Sequence, residues 1–155
     1  MTITIEGASL RHLDRLYEIE MECFEKEAFT KQQIAYLLTD YNAISLVAKE
    51  NDKIIGFVIG RIYIERNSLT GHILTIDVSL SHRRKGIGLK LLQEIERIFK
   101  GKGVKACRLE VREDNIAALN LYKKLGYKKI GRLRNYYRNA HGVYLRKALN
   151  SFSRD

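Results

Sequence analysis

The chain has no proline, no tryptophan and only two cysteines among its 155 residues. Cys23 and Cys107 stand far apart and outside any CxxC or Cys/His pattern, which argues against a metal site and against a disulfide framework. No apolar run reaches the roughly 18 residues that a membrane span needs. The opening MTITIEGASL lacks the charged-then-apolar order of a secretion signal. No membrane partner and a cytoplasmic location are therefore expected. Low-complexity tracts, repeats and linkers are missing too, so residues 1–155 read as one domain. The lack of proline and tryptophan carries no functional meaning.

What is present fits a soluble globular protein: 45% hydrophobic and 30% charged residues. A net charge of +10 implies attraction to polyanions, such as RNA, ribosome surfaces or a phosphorylated cofactor. A well-solvated basic surface explains most of those cations equally well. No sequence-specific nucleic-acid partner is expected.

TITIE alternates as a first strand, and Ser9 can cap a helix whose apolar positions Leu10, Leu13, Leu16 and Ile19 recur at helical spacing. Thr30 can cap a shorter helix reaching about Asp40. AISLVAKE, KIIGFVIGRIYIE and GHILTIDVSL are β-rich runs joined by NDK and RNSLTG, which read as hairpin connections. A helix with Leu91, Leu92, Ile95, Ile98 and Phe99 on one face follows and ends at the glycines of KGKG. VKACRLEVR is a strand, Asn115 caps IAALNLYKKL, and YKKIGRLRNYY and AHGVYLRKAL supply two closing strands. The order β-α-α-β-β-β-α-β-α-β-β, with one strand–helix–strand unit in an antiparallel chain, predicts an α/β fold: a mixed sheet with helices on both faces.

HRRKGIG, at positions 82 to 88, sets three cations before two glycines just where a helix begins. A helix N-terminus already favours negative charge through its free N–H groups and dipole, so this loop points to a polyanion. A triphosphate-binding P-loop fails, because Leu89 follows Gly88 where Lys and Ser or Thr are needed. A dinucleotide fold gains from Gly86, Gly88 and a later Glu110, but Leu91 occupies the place of its third glycine. A plain tight turn is the remaining alternative.

Taken with LEVREDN at 109 to 115 and ALNLYKKLGY at 118 to 127, the pattern Arg-x-x-Gly-x-Gly at 83 to 88 resembles the GNAT acetyltransferase superfamily. GHILTIDV, HRRKGIG, LEVR and the tail NYYRNAHGVYL are most similar to its RimI-type and archaeal N-terminal acetyltransferases. The resemblance covers positions 2 to 148. It implies the GNAT fold, with the sheet splayed between its fourth and fifth strands and acetyl-CoA held in the splay. Backbone N–H groups of Arg84, Lys85, Gly86, Ile87, Gly88 and Leu89 would then hold the pyrophosphate, with Arg83, Arg84 and Lys85 adding charge. The TIDV segment, Ile76, Asp77 and Val78, would line the pantetheine arm, the backbone of Ile76 and Val78 pairing with it and the Val78 N–H polarising the acetyl carbonyl.

The same resemblance gives Glu110 the role of general base and His72 that of its assistant. Tyr122 becomes the acid for the departing thiolate, and Asn115 a pantetheine contact. From the residues alone, Glu110 belongs to a charged strand face with Arg108 and Arg112, and Tyr122 fits a core aromatic. His72 fits a surface position at a strand start. FEKEAFT at 24 to 30 and NYYRNA at 135 to 140 match the two segments that clamp a peptide terminus in that family, with Phe29, Tyr136 and Tyr137 as lining. The chain departs from its relatives at Ala28–Phe29, where a Pro-Trp pair or a glutamate is common, and at 138 to 141, where acidic residues are common.

An α-amino group has a pKa of roughly 7.7–8.0 against roughly 10.4 for lysine, so an N-terminus needs less help to become nucleophilic. A lysine acceptor would cost more than ~3 kcal/mol extra. The leading expectation is therefore an acetyl-CoA-dependent transferase acting on protein N-termini, by direct attack in a ternary complex and without a cysteine nucleophile. The alternatives are acetylation of a small amine or an internal lysine, and a non-catalytic basic module that binds RNA or ribosomes.

Overall fold

A computed structural model of the chain describes residues 2–149. Its strands are β1 (Ile3–Gly7), β2 (Ala43–Glu50), β3 (Lys53–Glu65), β4 (Ser68–Val78), β5 (Ala106–Arg112), β6 (Lys128–Tyr137) and β7 (Ala140–Ala148). The helices are α1 (Leu13–Phe24), α2 (Lys31–Thr39), α3 (Ile87–Gly101) and α4 (Ile116–Lys124). This is the expected order of elements.

Local chemistry accounts for the ends. Thr30 caps α2 reciprocally, its hydroxyl accepting from Gln33 N at 3.1 Å while Gln33 Oε1 accepts from Thr30 N at 2.8 Å. Asn115 Oδ1 accepts from Ala118 N at 3.1 Å and starts α4. Several boundaries differ from expectation, two of them by about three residues. Ser9 opens a 3₁₀ turn, Leu10–His12, and α1 begins only at Leu13. The expected RNSLTG connection shrinks to Arg66 and Asn67, both at positive φ (51° and 67°). A two-residue turn of that hand matches strand twist, so Ser68 to Thr70 join β4.

The sheet runs β1-β2-β3-β4-β5-β7-β6, and every neighbouring pair is antiparallel except β4–β5. That parallel pair shares only three rungs: Thr70 with Ala106, Gly71 with Cys107, and His72 with Arg108. Beyond them the two strands diverge, each still paired on its outer side. A bulge contributes to the bend. Ile59 faces Thr75 and Gly60 faces Ile73, leaving Leu74 as an extra residue in β4.

Helices α3 and α4 cover one face of the sheet, and α1 and α2 the other. The expected stripe of α3 is the buried one: Leu91, Leu92, Ile95 and Phe99 are fully enclosed, each contributing about 1.5–3 kcal/mol. Cys107, Leu109 and Val111 of β5 point into the same core, so Arg108, Glu110 and Arg112 face the α1/α2 side. Among the described residues no helix is long and apolar enough to cross a membrane.

Candidate active site

The divergence of β4 and β5 opens a cleft of about 570 Å³. His72, Ile76, Glu110, Asn115 and Tyr122 line it, with Phe29, Tyr136 and Tyr137 at its sides. Residues spread over more than a hundred positions of sequence thus meet in one place.

At the crotch of the fork, His72 Nε2 and Glu110 Oε1 are 2.7 Å apart. The second oxygen of Glu110 accepts from Arg108 Nη2 at 2.8 Å, and Arg108 Nη1 donates to the Tyr63 hydroxyl at 3.3 Å. Burial alone would raise the Glu110 pKa, but the bonds from His72 and Arg108 outweigh it and hold the carboxyl below its ordinary value. Glu110 is therefore ionised at neutral pH. Each of its oxygens keeps a second lone pair for a water or an amine proton. The charged-face reading of Arg108, Glu110 and Arg112 misses this, because the face is half-buried and its cations are spoken for. Arg108 also stacks on Tyr144, 4.4 Å from the ring centre.

Tyr122 enters the cleft from α4, with its ring edge-on to Tyr127 at 5.8 Å. Burial, then the neighbouring Asp77 and Tyr137, push its pKa up, so the phenol holds its proton. Among the described residues its hydroxyl has no hydrogen-bond partner.

The inner edge of β4 offers backbone groups. Ser79 N donates to Ile55 O at 2.8 Å, and Phe57 and Asp77 stand two residues further along the same register. Antiparallel rungs alternate, so Thr75 and Asp77 bond toward β3 while Ile76 and Val78 turn their N–H groups toward the cleft. Asp77 does not join them. Its backbone is engaged with β3 and its side chain lies buried under α1.

That burial creates a network the sequence reading overlooked. Thr75 Oγ1 lies 2.9 Å from Glu20 Oε1 and 2.6 Å from Asp77 Oδ1. One hydroxyl carries one hydrogen, so Thr75 can donate to only one of them and must accept from the other, which is then a carboxylic acid. Asp77 is that acid: burial, then the charge of Glu20, drives its pKa well up. Glu20 Oε2 accepts from Phe29 N at 2.9 Å and so fixes the segment beside the cleft. A signal existed: Glu20 continues the Leu16 stripe of α1 by one turn, and Thr75 and Asp77 alternate in an apolar strand.

The glycine loop sits at the open end of β4. Arg84 and Gly86 have φ of 64° and 76°, and a side chain on Gly86 would meet no atom within 4 Å. Conformation, then, is what calls for glycine there. Lys90 N is the first in α3 to reach an intrahelical carbonyl, that of Gly86 at 3.1 Å, so the N–H groups of Ile87, Gly88 and Leu89 remain for an anion. Arg84 and Lys85 are exposed beside them. Arg83 is turned away, bonding Val78 O at 3.2 Å and Cys23 Sγ at 3.2 Å. Burial pushes the thiols of Cys23 and Cys107 up to about 11 and about 12, so neither is a thiolate.

The two flanking segments are joined. Glu27 accepts from Arg112 Nη1 at 2.8 Å and from the Arg138 backbone at 3.2 Å, tying the α1–α2 connection to the β6–β7 hairpin. Tyr136 and Tyr137 meet edge-on at 4.9 Å, and a Cβ on Gly142 would come within 3.0 Å of Tyr137. A side chain there would press the pair aside by a few tenths of an ångström.

A forked sheet with an anion cradle at its mouth narrows the choice of family, and the sequence profile of the Acetyltransferase (GNAT) family matches residues 13–127. The chain belongs to the GNAT acetyltransferase family. It is an acetyl-CoA-dependent acyltransferase. An N-alpha-acetyltransferase of Sulfurisphaera tokodaii is 36% identical over 153 residues, covering 93% of this chain and 91% of the relative. The [ribosomal protein bS18]-alanine N-acetyltransferase of Salmonella typhimurium is 30% identical over 144 residues, covering 90% of each. The fold of this acetyltransferase matches the Escherichia coli ribosomal-protein-S18-alanine N-acetyltransferase with a TM-score of 0.87 at 22% identity, over 99% and 98% of the two chains.

Proposed function

We propose that this acetyltransferase acetylates the free α-amino group of protein N-termini, by direct attack on the donor in a ternary complex. The observation that carries the reading is the single cleft holding the Glu110–His72 pair, the Tyr122 phenol and the inner edge of β4 between two aromatic walls. The names of the two relatives above agree with it.

Bound acetyl-CoA supplies a thioester whose acyl carbon is open to attack. The free N–H groups at the start of α3, with Arg84 and Lys85, hold its pyrophosphate, and the N–H groups of Ile76 and Val78 hold its arm. Asn115, with its carbonyl engaged in capping, keeps its amide NH₂ for the same arm. The Val78 N–H stabilises the charge that develops on the carbonyl oxygen. Glu110, directly or through His72 or a water, takes the proton that the amine loses as the new bond forms, and Tyr122 protonates the departing thiolate.

The low pKa of Glu110 bears on the acceptor. A weakly basic carboxylate serves an α-amine, which is partly unprotonated near pH 7, far better than a lysine some two to three pKa units higher. Phe29, Tyr136 and Tyr137 then line the path of the acceptor chain. Incubating a mixed N-terminal peptide library with acetyl-CoA and locating the new acetyl groups by mass spectrometry tests the proposal. Modification of α-amines is expected; faster turnover of polyamines or lysine side chains would overturn it.

The net charge of +10 draws the enzyme to ribosomes, where N-termini emerge. Co-sedimentation with ribosomes should fall steeply as salt is raised. Absence of co-sedimentation at low salt would remove this part of the reading.

A further inference from the structure

A second hollow, of about 870 Å³, opens off the catalytic cleft and shares Phe29, His72 and Leu74 with it. Gln33 and Tyr36 of α2 form one wall, and Arg61 and Tyr63 of β3 form the floor with Arg108. The charges of the two spaces are opposite. Glu20, Glu22, Glu25 and Glu27 join Glu110 around the cleft, whereas among the described residues no carboxylate lines the hollow.

Its two arginines are not equivalent. The charge of Arg108 is answered by Glu110 at 2.8 Å. Arg61 spends only its Nε, on Asp40 Oδ2 at 2.8 Å. Asp40 is nearly enclosed, and its other oxygen accepts from Asn42 N at 2.9 Å, so the carboxylate is fixed and holds the guanidinium in place. Among the described residues the two terminal nitrogens of Arg61 have no partner. The sheet register sets Arg61 directly opposite His72, which puts their Cα atoms about 4.5–5.5 Å apart and their side chains on one face. A chain whose terminal amine sits at His72 and Glu110, rising at most ~3.3–3.6 Å per residue, passes this free fork at its second or third residue.

We propose that the hollow receives the acceptor polypeptide beyond its first residue, and that Arg61 selects a carboxylate side chain, Asp or Glu, at the second or third position. A planar fork with two free nitrogens matches a carboxylate in bidentate fashion, which is a reason for arginine here instead of lysine. Tyr36 and Tyr63 supply flat surfaces for the stem of that side chain. This inference rests on N-terminal acetylation as proposed above.

The test compares kcat/KM on short peptides with one common first residue and Glu, Gln or Lys at the second and third positions. The Glu peptide should exceed the Lys peptide by about fivefold or more, with Gln between them, and added salt should shrink the ratio. Arg61→Gln should erase the ratio, and Arg61→Glu should reverse it in favour of Lys. Arg61→Lys, which keeps the charge, should retain part of the preference and shows that its loss in Arg61→Gln is not misfolding. Arg97→Gln, on the exposed surface of α3, should preserve the wild-type ratio. Equal rates across the panel, or a ratio that Arg97→Gln erases as well, would overturn the subsite while leaving N-terminal acetylation intact. No transfer to any peptide, with transfer to small amines instead, would overturn both.

Discussion

Two glutamates are buried on opposite faces of the same sheet, and their surroundings could hardly differ more. Glu96, under α3, accepts from the Tyr127 hydroxyl and from Lys147 Nζ, both at 2.7 Å, and every charge there has a partner. Glu20, under α1, faces a second acid across one hydroxyl, and Asp77 Oδ2 is left buried without a partner. The surroundings of Glu96 are closed and self-sufficient. Those of Glu20 carry unbalanced acids and lie on the face that holds Glu110, His72 and the free Arg61 guanidinium, while Tyr122 of α4 and its cap Asn115 reach the cleft from the other side. Unpaired polarity, more than polarity itself, separates the two settings.

Matched substitutions sharpen this contrast. Glu110→Gln should lower kcat by about 100-fold or more, since it removes the proton acceptor, at a stability cost of ~1 kcal/mol. Glu96→Gln should do the reverse: it strands a partly buried Lys147, costs about 2 kcal/mol in urea unfolding, and leaves kcat of the folded enzyme unchanged. Steady-state rates and unfolding curves on the two variants check both. A large loss of kcat in Glu96→Gln would erase the distinction between the two settings.

A smaller effect concerns pH. The folded state keeps a proton on Asp77 that the unfolded chain releases in the ordinary carboxylate range. Stability from this site is therefore full at low pH and declines as pH rises toward the raised pKa, by at most ~1.4 kcal/mol per pH unit. Asp77→Asn, which is neutral at every pH, should gain on the wild type as pH is raised from 5 to 8. Unfolding midpoints that run parallel over that range would show Asp77 to be ionised.

Much of the fold was legible because it is written locally. Caps at Thr30 and Asn115, the stripe of α3 and the alternation of β2 and β3 all act within a few residues, and their boundaries came out within a turn. The order of elements also implied a mixed sheet. What stayed hidden is relational. The Leu74 bulge exists only as a slip between two strands, and the fork only as rungs that stop after His72 and Arg108. The roles of Glu110 and Tyr122 came from resemblance, since each alone also fits a structural position. Grouping Asp77 with Ile76 and Val78 ignored the two-residue period that sends its side chain and its backbone away from the cleft. Glu20 showed only as an acid in the apolar stripe of α1 and Arg61 gave no motif; their meaning depends on partners 55 and 21 positions away.

The fork has one more consequence. Past the third shared rung, two bare strand margins lie in the middle of the molecule, where an ordinary sheet would be zipped shut, and naked margins recruit any extended chain that passes. Glu27 and the Tyr136–Tyr137 pair line the cleft that this seam opens, and so stand beside the bare margins. A donor seated there as proposed would cover those margins, so the slot that invites a stray strand is the one that the proposed donor would close.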